Sequence, residues 1–172
     1  MIDFTKLNVG DRIQLSAKLF TARDRAHVYL LDNNFDKIKN SIIYHCGPII
    51  KDNEVIAAGP TTSSRLNPYT PKLIEKYNIK AIIGKGGMDS SVLNAMKGKA
   101  IYASAVGGAA LVYAKNMTVK KQHMPEFGMP EAIWELDVKD IPLIVTMDSK
   151  GNSLYDDILQ NSKKVLETLM HK

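Results

Sequence analysis

The sequence predicts an α/β domain whose strand ends carry the ligand-binding residues. Short apolar runs bounded by turn residues alternate with segments whose apolar positions recur at helical spacing, the pattern of strands joined by crossover helices in parallel pairings. Two segments rich in hydroxyl, glycine and cationic residues, Gly59-Pro60-Thr61-Thr62-Ser63-Ser64-Arg65 and Gly84-Lys85-Gly86-Gly87, each follow such an apolar run. In open α/β sheets ligands sit there, outside the carboxyl ends of strands. With 172 residues, 45% of them hydrophobic, the chain is long enough for one domain, 1–172, with a sizeable core.

The elements follow in order. Ile13, Leu15, Ala17 and Leu19 alternate at period two after Gly10-Asp11, a strand with one buried face. Ala26, Tyr29 and Leu30 then mark a helix from Arg25 to about Asn33. Ser41–Tyr44 and Val55–Ala58 read as short buried strands. Asn67-Pro68 starts a helix with proline at its first position and with Tyr69, Leu73, Ile74 and Tyr77 as its stripe; Pro71 is tolerable in the first turn. Ala81–Ile83 is a strand, and Asp89 or Ser90 caps a helix through Val92, Leu93 and Met96. Ala100–Ala103 is a strand, and Gly107-Gly108 opens an apolar helix from Ala109 to Tyr113. Residues 118–130 carry no clear period. Ala132–Val138 and Leu143–Thr146 read as two strands, and Asp148–Asn152 as a turn. In the last helix, Ser153 to Met170, the residues Leu154, Ile158, Val165 and Leu169 are expected to face the core.

Composition excludes several classes. No apolar run reaches the roughly 18 residues of a membrane span, and Met1-Ile2-Asp3-Phe4 does not open a signal peptide, so a cytoplasmic setting is expected. The net charge is +5, but lysines and arginines are scattered, without the aromatic-laced basic stripe of a nucleic-acid site; Lys163-Lys164 and His171-Lys172 read as a solvated helix face. A positive field suits a small anionic substrate. Cys46 is the single cysteine, which leaves neither an internal disulfide nor a metal site built from several cysteines.

The hydroxyls of Thr61, Thr62, Ser63 and Ser64, with backbone N–H groups, can bind carboxylate or phosphate oxygens, and Arg65 can grip a carboxylate with two parallel bonds. A Ser/Thr-rich turn capping the next helix, with Arg65 on the surface, accounts for the same residues. Gly84–Gly87 is not a phosphate loop, because Gly86 stands where the motif requires Ser or Thr after the lysine; Lys85 is either an anion ligand or an exposed lysine on a glycine turn. Thr21–His27 lies at a strand-to-helix junction, where Arg23 could bind a carboxylate beside the helix N-terminus, with Asp24 as a cap and His27 as a partly buried polar residue. His45 and Cys46 are adjacent on a strand and point to opposite faces, so Cys46 reads as a small buried hydrophobe rather than an activated nucleophile. His123 and Glu126 show no metal-ligand spacing.

Taken together, Thr21–His27, Tyr44-His45-Cys46-Gly47-Pro48, Gly59–Arg65, Pro68-Tyr69-Thr70-Pro71, Ile83–Gly86, Gly107–Ala110, Pro130–Trp134, and Asp148 with Gly151-Asn152 form a collinear set. It resembles the β-subunit, or C-terminal domain, of the class I iron–sulfur fumarases and the related L-tartrate dehydratases. Ser63-Ser64 departs from the Ala-Gly common there. The resemblance implies a swivelling β/β/α domain, with mixed sheets layered with helices. It implies a hydro-lyase activity, fumarate plus water to L-malate or the tartrate counterpart, with a small dicarboxylate as substrate. It assigns Thr61 as catalytic base and Arg23, Thr62, Ser63, Ser64, Arg65 and Lys85 as substrate ligands. It places a 4Fe-4S cluster on a partner α-subunit of an α2β2-type hetero-oligomer, with no metal ligand in this chain. A non-catalytic anion-binding module is the alternative of a different class.

Overall fold

The computed structural model describes residues 2–170, which form eight strands and five α-helices; His171-Lys172 lies outside the described residues. The strands are β1 (Arg12–Thr21), β2 (Ile42–Tyr44), β3 (Ile49–Lys51), β4 (Glu54–Ala57), β5 (Ala81–Gly84), β6 (Ile101–Ser104), β7 (Met117–His123) and β8 (Ile133–Met147). The helices are α1 (Asp24–Asp32), α2 (Thr70–Tyr77), α3 (Ser90–Met96), α4 (Ala110–Ala114) and α5 (Leu154–Met170).

The sheet is mixed rather than simply parallel. Its order is β1-β2-β5-β6-β8-β7, and β1 pairs back onto β8. The β1–β2, β2–β5 and β5–β6 pairs are parallel, and every pair made by β8 is antiparallel. The pairings therefore close on themselves through β8, and the sheet folds over a core of its own. Leu15, Leu19, Tyr44, Ile83, Ala103, Leu136, Val138 and Val145 fill that core. Phe20, Ile43, Ile82 and Tyr102 face the other way and pack against Ala26 and Leu30 of α1, Leu73, Ile74 and Tyr77 of α2, and Val92, Leu93 and Met96 of α3. The period-two alternation of β1 and the helical stripes of α1–α3 thus divide one sheet between two apolar layers.

Asp89 caps α3 by accepting from the N–H groups of Ser91 and Val92. Helix α2 begins at Thr70, not at Pro68, with Pro71 in its first turn, and ends on Asn78 in the left-handed region.

Other expectations are corrected. Val55–Ala58 is no strand of the main sheet: Val55–Ala57 fall in β4, which pairs only with β3 in a separate two-stranded hairpin and leaves Ile56 exposed, while Ala58 just beyond it is buried in the core. Its apolar residues are too few to distinguish a hairpin from a core strand. Residues 118–130 hold β7 and a turn of 3₁₀ helix at Pro125–Phe127. The two strands expected after Pro130 are one, because β8 passes a bulge at Lys139-Asp140, with Asp140 at positive φ, and resumes its pairing with β1 at Ile141. The Asp148 turn forms as expected: the carboxylate, buried, accepts from the N–H groups of Val9, Lys150 and Asn152 and from Asn152 Nδ2. Helix α5 forms, but none of its residues is buried.

Candidate functional site

The three segments that follow β1, β2 and β5 lie side by side. Past β2, Cys46 bridges to Pro60, and the His45 carbonyl accepts the Thr61 N–H at 2.7 Å. Past β5, Thr62 bridges to Lys85: the Thr61 carbonyl accepts the Lys85 N–H at 3.1 Å, and the Ser63 N–H donates to the Lys85 carbonyl at 3.0 Å. The hydroxyl-rich segment is thus a strand-like insert between His45 and Lys85; Gly84–Gly87 follows a sheet strand, β5, as expected, whereas Gly59–Arg65 follows the hairpin strand β4 and reaches the ends of β2 and β5 only by this pairing. Gly59 lets this segment run against α4, since a Cβ there would lie 3.0 Å from Ala110 Cβ.

The hydroxyls separate by depth. Ser63 is fully buried. Its Oγ lies 2.8 Å from His45 Nδ1 and accepts from the Tyr102 hydroxyl at 2.8 Å. Fully buried, and with its N–H also used, Ser63 presents no exposed donor to a ligand. Thr61 is half-buried and donates its hydroxyl to the His45 carbonyl at 3.0 Å, which leaves the oxygen lone pairs of Thr61 uncommitted. Thr62 and Ser64 are exposed.

The cations surround this segment. Arg23 lies across Gly47, where a Cβ would come within 2.9 Å of Nη1. Its Nε is 3.2 Å from Glu131 Oε1 but makes no well-aligned hydrogen bond, so the attraction is chiefly between charges. The other Glu131 oxygen accepts from the Arg25 N–H at the start of α1. The chain's own carboxylate therefore takes up the helix N-terminus that the sequence offered to an anion, while the Nη groups of Arg23 make no ion pair among the described residues. Arg65 reaches Asp24 at 3.3 Å, with both half-exposed; such a pair is weak and leaves the guanidinium free to exchange partners. Lys85 is half-buried, passes over Gly107 and has no ion-pair partner among the described residues.

Beneath the segment are two buried histidines whose rings are 5.1 Å apart. His27 lies 2.8 Å from the Arg23 carbonyl through Nδ1, which must be the donor since the carbonyl can only accept. Burial lowers its pKa from 6.5 to about 4. Burial lowers that of His45 well below its ordinary value too, with His27 and Arg65 adding to the effect. His45 Nε2 is buried without a hydrogen-bond partner. Burial also pushes the Cys46 thiol up to about 12, so Cys46 is an inert apolar residue, as its strand position suggested. His123 binds Glu135 at 3.3 Å, away from this cluster. Among the described residues no three His, Cys, Asp or Glu side chains group to hold a metal.

Residues 2–158 match the family described as fumarase C-terminus. The chain belongs to that family. It is 45% identical over 169 residues to a Geobacillus stearothermophilus protein named as a fumarate hydratase class I, a match covering 94% of this chain and 33% of that protein. The chain thus spans about a third of the length of that relative. It is 44% identical to a protein of Methanocaldococcus jannaschii named as an L(+)-tartrate dehydratase subunit beta, across 97% of this chain and 91% of that one. The L(+)-tartrate dehydratase subunit beta of Escherichia coli K12 is 35% identical over 96% of this chain and 86% of its own.

Two features of this family member were not singled out from sequence. Glu131 approaches Arg23 from 108 residues away, and Tyr102 reaches Ser63 from β6. Only the motif Pro130-Glu131-Ala132 hinted at the first, and nothing in the run Ile101–Ala103 hinted at the second.

Proposed function

We propose that this chain is the β-subunit of a class I hydro-lyase that interconverts fumarate and L-malate, its active site being completed by a partner α-subunit. The observation that carries this reading is the alignment of Thr61 with Lys85 on one backbone ladder, beside Arg23 and Arg65. Those three cations suit a substrate with two carboxylates, and they favour the dianion that forms when a proton leaves the carbon beside a carboxylate. Thr61 is the proton acceptor in this reading. In the neutral form its hydroxyl hydrogen is held by the His45 carbonyl; that proton has to leave to solvent or the partner subunit before the alkoxide can take one from the substrate, and the surrounding positive charge favours that ionised form. Thr62 and Ser64 are exposed ligands. Ser63 acts from below, by holding the segment in place.

The 4Fe-4S cluster that class I chemistry requires has no ligand set among the described residues, and Cys46 is buried and protonated; we assign the cluster to the α-subunit and take this chain's part as binding and proton transfer. The mixed sheet, closed on itself and covered by helices on one face, supports the swivelling β/β/α arrangement. No helix among the described residues is long and apolar enough to cross a membrane; we place the assembly in the cytoplasm, as an α2β2-type hetero-oligomer.

The names of two relatives favour a second reading, L(+)-tartrate dehydratase, which differs by one substrate hydroxyl. The deciding experiment is anaerobic assembly with the α-subunit and a loaded cluster, followed by comparison of kcat/KM on malate and L-tartrate. Preference for malate supports the first reading and preference for tartrate the second. Dicarboxylate binding without turnover of either leaves an anion-binding module.

A further inference from the structure

Helix α5 carries an apolar face that its own domain does not cover. Its first turn is anchored: Tyr155 lies over Gly87 and its hydroxyl is 2.5 Å from Ser104 Oγ. Beyond that turn Ile158, Leu159, Val165, Leu166, Leu169 and Met170 are 53–75% exposed. The family match ends at residue 158. The part of α5 beyond its anchored turn, residues 158–170, is of a length that is marginal in water on its own, and a contiguous exposed apolar face marks an interaction surface.

The stripe is symmetric in sequence about Ser162. Leu159 and Val165 stand three residues either side of it, Ile158 and Leu166 four, Tyr155 and Leu169 seven, Leu154 and Met170 eight. None of these positions is charged; the charged residues of α5, Asp156, Asp157, Lys163, Lys164 and Glu167, fall outside the stripe. We propose that α5 is a contact between two copies of this chain, crossed antiparallel at Ser162. A two-fold contact requires a surface complementary to itself. Antiparallel crossing at Ser162 places Leu159 opposite Val165 and Ile158 opposite Leu166, with Leu169 and Met170 of each copy beside the anchored first turn of the other, and the small serine at the centre lets the two backbones approach. The helix dipoles then oppose, which is the favourable arrangement. At roughly 60–120 Å² of apolar area per side chain, the exposed residues of two copies reach the about 1,000 Å² at which specific interfaces begin. The contact stands independently of the hydro-lyase reading, because it uses no residue of the candidate site.

The test uses the full-length chain, alone and with its partner subunit. Sedimentation at micromolar concentration is expected to give a dimer, and Leu166→Glu a monomer with unchanged circular dichroism, since Leu166 is exposed in the single copy. Oxidation of Ser162→Cys is expected to link two copies, while Lys164→Cys, on the far side of the helix, is not. The native Cys46 is buried and gives little background. A monomer at every concentration, failure of Ser162→Cys to cross-link, or protection of the stripe only when the partner subunit is added would each overturn the proposal.

Discussion

Gly84 and Ser63 occupy one space that a side chain on residue 84 would fill: a Cβ there would lie 1.9 Å from Ser63 Oγ, 3.0 Å from the Tyr102 hydroxyl and 3.3 Å from His45 Nδ1. Ser63 cannot retreat, because it is held by both neighbours and by its N–H to Lys85. Gly84→Ala is therefore expected to destabilise the fold by roughly 1–3 kcal/mol. It should also displace Thr61 relative to Lys85, so that activity of the assembled enzyme falls further than the folded fraction does. A denaturation midpoint equal to that of the parent would contradict the packing described.

Tyr102→Phe keeps the ring and removes only the hydroxyl that donates to Ser63. The loss of one buried hydrogen bond costs about 1 kcal/mol. The Ser63 hydroxyl is then held by His45 alone, so kcat is expected to fall while KM changes little. A change confined to stability would limit Tyr102 to a packing role.

Thr61→Ala removes the proposed proton acceptor without disturbing the backbone ladder, which uses only the Thr61 N–H and carbonyl. Turnover is expected to drop by about 10²–10⁴-fold, the range for a positioned acid–base group, with dicarboxylate affinity largely retained. Thr61→Ser, which restores the hydroxyl, is expected to recover part of the rate. Steady-state kinetics on the reconstituted enzyme decides it: turnover within a few-fold of the parent refutes the base assignment.

The sequence showed β2, β5 and the Gly84–Gly87 loop at the end of β5, because buried strands are apolar runs flanked by turn residues, and that contrast is local; that Gly59–Arg65, which follows the hairpin strand β4, pairs between β2 and β5 depends on distant contacts. What it could not show depends on distant partners. Glu131 reads as an ordinary surface acid until β8 brings it to Arg23, and His45 reads as one of a strand's polar residues until Ser63 and Tyr102 enclose it. Helix α5 shows the same limit from the other side. Its period identified an apolar face correctly, but a periodic pattern states that a face will be covered and not by which chain.

Arg23→Lys tests whether the guanidinium fork matters. Lysine keeps the charge but cannot bind a carboxylate through two parallel bonds. A charge-assisted hydrogen bond is worth about 1.5–3 kcal/mol, and each 1.4 kcal/mol is about tenfold in affinity. KM for the dicarboxylate is therefore expected to rise tenfold or more, with kcat less affected. An unchanged KM would remove Arg23 from the substrate ligands.

The buried histidines His27 and His45, with His123 shifted the same way by burial, set a pH window for stability. His27 is neutral when folded, with its pKa lowered by burial from 6.5 to about 4, and His45 is shifted in the same direction. In the unfolded chain both accept protons below about pH 6.5, so acid favours unfolding. The sign follows from linkage: stability is full above pH 6.5 and falls as pH drops toward the folded pKa. For His27 alone the loss approaches about 3 kcal/mol near pH 4, at about 1.4 kcal/mol per pH unit. Asp148 does not confuse this window. Burial works to raise its pKa, but hydrogen bonds from Asn152, Val9 and Lys150 hold it below 3.8, so its contribution is lost only at more acid pH. Urea midpoints measured from pH 7.5 to 4.5 are therefore expected to decline. The decline should be shallower in His27→Leu, which has no proton to take up at that position. Equal slopes in the two proteins would show that His27 does not control the acid limb.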